Sequence, residues 1–168
     1  MLLESISILV VEDNQKMGGL VRAVLAGLGV TQVEVVHRSD LAWRQLGLAH
    51  YDVLIVDRRL GDTDGLDLVR RLRRAPGPAA RTPVIMVTAS GDLAGVRAAR
   101  DAGVDEFLVK PFTVGALAEH LSAALERRRP FINTEAYVGP DRRRRADPEY
   151  RGGERRRTGA GGTGTTAR

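Results

Sequence analysis

Five short runs of β-branched and apolar residues recur along the first 127 positions, each separated from the next by a longer stretch with apolar residues every three or four positions. The runs are Ser7–Val11, Gln32–Val36, Val53–Val56, Val84–Val87 and Glu106–Val109. Their lack of apolar/polar alternation reads as strands buried on both faces. The intervening stripes read as helices. They comprise Met17, Leu20, Val21, Val24, Leu25 and Leu28; then Leu41, Leu46 and Leu48; then Leu66, Leu68, Val69 and Leu72; then Leu93, Val96, Ala99 and Ala102; and last Leu117, Leu121, Ala124 and Leu125. Strands alternating with helices at this spacing specify an α/β domain, a doubly wound parallel sheet with helices on both faces. Ser39 and Thr113 are expected as helix N-caps, and Gly29 and Gly103 as C-terminal glycines. Arg70, Arg71, Arg73 and Arg74 read as a solvated face of the third helix with snorkelling stems.

The ends of these strands carry the chemistry. Glu12 and Asp13 follow the first, Asp57 the third, Thr88 the fourth and Lys110 the fifth. Ligands of open α/β sheets bind outside the carboxyl ends of the strands. Three carboxylates, a hydroxyl and an ammonium gathered there form an acidic pocket ready for a hard divalent cation such as Mg²⁺, which takes oxygen ligands. A carboxylate in such a pocket can attack a phosphoryl group, and phosphoryl transfer needs mainly positioning and charge neutralisation. An aspartyl-nucleophile phosphatase of the haloacid-dehalogenase type is disfavoured, because Arg59 stands two residues after Asp57 where a second aspartate would be needed. His37, His50 and His120 lie far apart without metal-binding spacing, and Trp43 reads as a packing residue of the second helix.

The segments around Glu12-Asp13-Asn14, Val56-Asp57-Arg58-Arg59-Leu60, Asp64-Gly65, Val87-Thr88-Ala89 and Phe107-Leu108-Val109-Lys110-Pro111 resemble the receiver domains of two-component response regulators, in particular the stand-alone chemotaxis regulators, over residues 5–127. The resemblance implies a flavodoxin-like (βα)5 fold with strand order 2-1-3-4-5. It implies that Asp57 is the phosphoacceptor, serving a sensor histidine kinase or histidine phosphotransfer protein. It implies Mg²⁺ held by Glu12, Asp13, Asp57 and the backbone carbonyl of Arg59, and Lys110 and Thr88 acting on the phosphoryl group. Thr88 and Phe107 would be the switch pair, Lys110–Pro111 a cis peptide, and the fourth helix, fifth strand and fifth helix the face read by a downstream protein. Such a protein is not an enzyme beyond its own phosphorylation and dephosphorylation. Two departures stand out. Gly61 occupies a position where many receivers have proline, and Arg58 and Arg59 place two cations beside the acidic pocket.

Charge divides the chain. Residues 1–125 hold 14 basic and 15 acidic residues, whereas residues 126–168 hold 12 and 6, so the excess of +5 belongs to the C-terminal segment. Residues 128–168, rich in Arg and Gly, read as a disordered tail with no apolar period. A 13-residue repeat runs through it: Tyr137, Gly139, Asp141 and Arg142-Arg143-Arg144 recur as Tyr150, Gly152, Glu154 and Arg155-Arg156-Arg157. Such units suit an acidic protein surface, the domain's own acidic pocket, or nucleic acid bound by charge and stacking. The alternative function is therefore receiver-gated binding of nucleic acid or another anionic partner through Tyr137, Arg142, Arg143, Arg144, Tyr150, Arg155, Arg156 and Arg157. The absence of cysteine excludes disulfides and thiolate metal sites. With no signal-peptide pattern and no apolar run of membrane-spanning length, a cytoplasmic location without membrane insertion is expected.

Overall fold

The structure, a computed structural model, describes residues 3–142. Strands β1 (Ser7–Val11), β2 (Gln32–Val36), β3 (Val53–Asp57), β4 (Val84–Thr88) and β5 (Glu106–Val109) form one parallel sheet in the order β2-β1-β3-β4-β5. Between them run helices α1 (Gln15–Gly27), α2 (Ser39–Leu48), α3 (Gly65–Arg73) and α4 (Leu93–Ala102), and α5 (Val114–Glu126) follows β5. The order and the five-helix complement are those the resemblance implied.

Alternate residues of the central strands feed two separate cores. Leu9, Val11, Leu54, Val56 and Met86 point toward α2, α3 and α4, where Ala42, Leu46, Leu66, Val69, Leu72 and Ala99 meet them. Ile8, Val10, Ile55, Ile85 and Val87 point the other way, onto Val21 and Leu25 of α1 and Leu117 and Leu121 of α5. The three inner strands are buried on both faces as expected. The edge strands are not: β2 is mostly half-exposed, and only Leu108 of β5 is fully buried. An edge strand has a neighbour on one side only, so part of each face stays in solvent.

Several stripe positions also lie outside the core. Leu20 is 56% exposed, Leu48 78% and Leu93 75%. Helix α4 packs through its small residues Ala99 and Ala102, leaving its N-terminal half proud of the sheet.

Capping departs from expectation once. Asn14, Asp64, Asp92 and Thr113 each accept a backbone N–H of the first turn of α1, α3, α4 and α5 respectively. Ser39, by contrast, is the first helical residue of α2. Arg38 takes the cap position without a capping side chain, its guanidinium being bonded instead to Asp40. Gly29 and Gly103 adopt positive φ at the ends of α1 and α4, as expected.

Arg73 overturns the reading of a solvated arginine face. It is 2% exposed. Its Nε donates to Gly103 O, its Nη1 to Ala80 O and Thr82 O, and its Nη2 to Asp105, all at 2.8 Å. Arg70 bonds Asp67 at the surface, and Arg71 lies over the Trp43 ring, 3.9 Å from its centroid.

Regular secondary structure also continues past residue 127. Strands β6 (Phe131–Asn133) and β7 (Val138–Pro140) form an antiparallel hairpin. Arg129 fastens it, donating to Val104 O and Asp105 O on one side and to Asp141 O on the other. Carbonyl-bonded arginine, not apolar periodicity, holds this segment, so a hydrophobic pattern search passes over it. The remainder of the tail lies outside the described residues.

Candidate functional site

The carboxyl ends of β1, β3, β4 and β5 bring Glu12, Asp13, Asp57, Thr88 and Lys110 to one rim of the sheet. Lys110 Nζ donates to Asp57 Oδ2 at 2.6 Å and to Glu12 Oε2 at 2.7 Å. It thereby bridges residues from the first, third and fifth strands. Burial by itself would lower the Lys110 pKa, but the bonds to Asp57 and Glu12 outweigh it and hold the ammonium above its ordinary value. Burial raises the Glu12 carboxyl, and Asp57 adds to this while Lys110 opposes it.

The other Asp57 oxygen, Oδ1, accepts the backbone N–H of Arg59 at 3.0 Å. Asp13, more exposed, accepts the backbone N–H of Gly61 at 2.9 Å. Carboxylate oxygens of Glu12, Asp13 and Asp57 lie within 4.8 Å of one another. Three hard oxygen anions this close fit a small divalent cation with waters completing its shell.

Thr88 is buried at the end of β4. Its carbonyl accepts the Lys110 N–H, and its hydroxyl accepts the Ser90 N–H at 3.2 Å. Phe107 is half-buried on β5 against the α2–α4 core. The Lys110–Pro111 peptide is cis.

The loop after Asp57 explains both departures noted in the sequence. Arg58 is engaged by Asp64, the N-cap of α3, at 2.7 Å. The Arg59 side chain is exposed, and its N–H, not its charge, reaches Asp57. Gly61 has φ of +61°, opposite in sign to the roughly −65° that proline fixes. Gly61→Pro is therefore expected to lose the N–H that holds Asp13 and to destabilise the fold by about 1–3 kcal/mol, read by urea unfolding. Gly65 is required by close approach: a Cβ there would stand 2.1 Å from the Asp57 carbonyl oxygen. This contact seats the start of α3 directly under the end of β3.

Of the tail residues, Tyr137 and Arg142 are placed within the described residues, at the opposite end of the sheet from Asp57. The Tyr137 hydroxyl donates to Pro140 O, its ring lies under the Arg142 guanidinium at 4.1 Å, and Arg142 pairs with Asp101 of α4. These two fold back on the domain, but not on its acidic pocket. Arg143, Arg144, Tyr150, Arg155, Arg156 and Arg157 lie outside the described residues. Sequence reasoning missed Arg129 and Asp105, which bind the hairpin and Arg73. The only hint was that Asp105 precedes a strand. His37 and His120 are bonded, to Glu12 O and to Glu106 respectively. No helix among the described residues is long and apolar enough to cross a membrane.

The response regulator receiver domain family matches residues 8–122. The chain is 37% identical over 119 residues to chemotaxis protein CheY1 of Helicobacter pylori (strain J99), covering 70% of this chain and 95% of CheY1. It is 36% identical over 125 residues to the phosphate regulon transcriptional regulatory protein PhoB of Rhizobium meliloti, covering 74% of this chain but 54% of PhoB. Among solved structures, the chemotaxis response regulator CheY4 of Vibrio cholerae superposes with a TM-score of 0.66 at 25% identity, over 71% of this chain and 98% of that one. The receiver domain of sensor histidine kinase PA1611 of Pseudomonas aeruginosa, solved with a magnesium ion coordinated in its active-site cleft, gives 0.65 at 30% identity, over 71% and 97% of the two chains. Aligned along nearly the whole length of single receivers in both sequence and structure, the chain belongs to the response regulator receiver domain family of two-component systems.

Proposed function

We propose that this receiver accepts a phosphoryl group on Asp57 from the phosphohistidine of a sensor histidine kinase or a histidine phosphotransfer protein. The observation that carries the reading is the Lys110 ammonium bonded at once to Asp57 and Glu12. In the transfer the phosphorus–nitrogen bond of the donor breaks and a phosphorus–oxygen bond to an Asp57 carboxylate oxygen forms. Lys110 is already within reach to follow the charge onto the phosphoryl oxygens. The Thr88 hydroxyl, which among the described residues accepts from Ser90 and donates to none, keeps its own proton free to donate there.

Glu12, Asp13 and Asp57, with the Arg59 carbonyl that the family resemblance adds, are the groups that would hold Mg²⁺. When bound, Mg²⁺ neutralises phosphoryl charge as it develops. The magnesium-containing PA1611 receiver, a relative in fold and sequence, supports this assignment.

The output is a protein contact switched by that modification. Movement of Thr88 toward the phosphoryl group opens space into which Phe107 turns, altering the face made by α4, β5 and α5. Exposed Leu93, Val96, Val109 and Val114 on those elements and at the start of α5 give the face the apolar character a partner needs. The reading of nucleic-acid binding through the tail gains nothing from Tyr137 and Arg142, which are spent on contacts within the domain.

The deciding experiment is phosphotransfer from a labelled histidine kinase or phosphotransfer protein with Mg²⁺ present. Label is expected on the wild-type chain and absent from Asp57→Asn, which keeps the side chain's shape while removing its nucleophile. Label persisting on the variant assigns the acceptor elsewhere and sinks the proposal.

A further inference from the structure

At the end of the sheet away from Asp57, the hairpin β6–β7 closes a cleft of about 240 Å³ against the loops leading into β4 and β5. Arg73, Arg81, Arg128, Arg129, Phe131 and Asp105 line it. Four guanidinium groups thus face a single carboxylate, an excess of positive charge in a partly enclosed space.

The four do not play the same part. Arg73 forms the floor, with its donors committed to Gly103, Ala80, Thr82 and Asp105. Arg129 is committed largely to the carbonyls of Val104, Asp105 and Asp141. Arg81 and Arg128 are exposed at the rim. Arg128 uses one nitrogen, Nη2, for the Arg81 carbonyl. The Arg81 guanidinium stands over the Phe131 ring at 5.0 Å and pairs with no carboxylate among the described residues. Both rim arginines keep N–H groups to offer. The charges also act on each other: burial lowers the Arg73 pKa and Asp105 opposes this, but Arg128 and Arg129 push it down further.

We infer that this cleft is a second anion site that binds a compact phosphoryl dianion, as inorganic phosphate or as the phosphate of a small monoester, between Arg81 and Arg128 above the Arg73–Asp105 floor. Guanidinium forks match phosphate oxygens in pairs, and such charge-assisted bonds are the strong ones. A dianion fits better than a monoanion because it offsets two of the uncompensated charges. Arg128, Arg129 and Phe131 come from the segment after α5, so a receiver ending at α5 lacks that half of the site.

The test is calorimetric titration of the full-length protein with sodium phosphate, and separately with phenyl phosphate, in EDTA at constant ionic strength with sodium chloride as the blank. Saturable binding of phosphate is expected. It is expected to persist in Asp57→Asn, which separates it from the acidic pocket. The double variant Arg81→Gln/Arg128→Gln is expected to weaken it at least about tenfold, the worth of one charge-assisted pair, with an unchanged unfolding midpoint. Each single variant is expected to weaken it severalfold, which keeps the inference testable if the double variant is unstable. Tighter binding of phenyl phosphate assigns a carried phosphoryl group, and tighter binding of phosphate assigns the free ion. Affinity unchanged in the arginine variants places any binding elsewhere on the chain, and absence of saturable binding removes the site; either result overturns the inference.

Discussion

Arg73→Met is expected to destabilise the domain by about 3–5 kcal/mol, the cost of removing one partner from a buried ion pair. Methionine keeps the length and apolar stem of arginine. What it removes is the set of donors that satisfies three loop carbonyls and the Asp105 carboxylate. Each carbonyl left dry adds to the loss. Asp105 would retain the Val84 N–H as partner, but would be buried with less countercharge.

The pH dependence follows from that carboxylate. Burial raises the Asp105 pKa above its ordinary 3.8, and Arg73 and the Val84 amide pull against the rise. Without Arg73 the rise is larger. A carboxyl whose folded pKa exceeds its unfolded one contributes stability that is present at low pH and lost as pH climbs through the folded pKa. The deficit of Arg73→Met is therefore expected to be largest near neutrality and to shrink toward about pH 4. Adding Asp105→Asn to Arg73→Met is expected to recover part of it at neutral pH, because the buried charge is gone. Urea unfolding of the three proteins at two pH values measures both effects. A loss below about 1 kcal/mol at pH 7 would mean that water replaces the guanidinium and that the buried pair is dispensable.

Lys110→Met is expected to slow phosphoryl acceptance by about a hundredfold, the usual consequence of deleting one preorganised charge from a site where negative charge develops. The ammonium has two jobs in the unphosphorylated protein. It offsets the repulsion between Glu12 and Asp57, and it stands 2.6 Å from the carboxylate proposed to take the phosphoryl group. Its side chain is only 17% exposed, so water substitutes poorly. Phosphorylation kinetics with a small acyl phosphate donor read the effect without involving a kinase surface. A rate within threefold of wild type would show that Lys110 is an ion-pair partner only. Weaker mutual shielding of the carboxylates also predicts that Lys110→Met binds Mg²⁺ more tightly, measurable by titration calorimetry.

Much of the fold was legible because the inner strands are buried on both faces and leave uninterrupted apolar runs, as in Val53–Val56 and Val84–Val87. The candidate site was legible for a related reason: its residues are the first polar positions after those runs. Where the helix stripes misled, at Leu20, Leu48 and Leu93, the pattern marked a face without revealing how wide a neighbour covers it. Ser39 failed as a cap because a capping residue type is only one of two requirements, the other being the backbone conformation before the helix.

By itself, the sequence determined the alternation of strands and helices and the placement of Glu12, Asp13, Asp57, Thr88 and Lys110 at strand ends, since both depend on periodicities within ten or fifteen residues. The tertiary structure alone decided that Lys110 reaches Glu12 across 98 positions of chain, that Gly65 seats against the Asp57 carbonyl, and that Arg73 is a buried tie instead of a solvated charge. A charged side chain is stable in the interior only where carbonyls and carboxylates from distant segments converge on it. That convergence depends on how the loops before β4 and β5 and the hairpin after α5 meet, which no local pattern records.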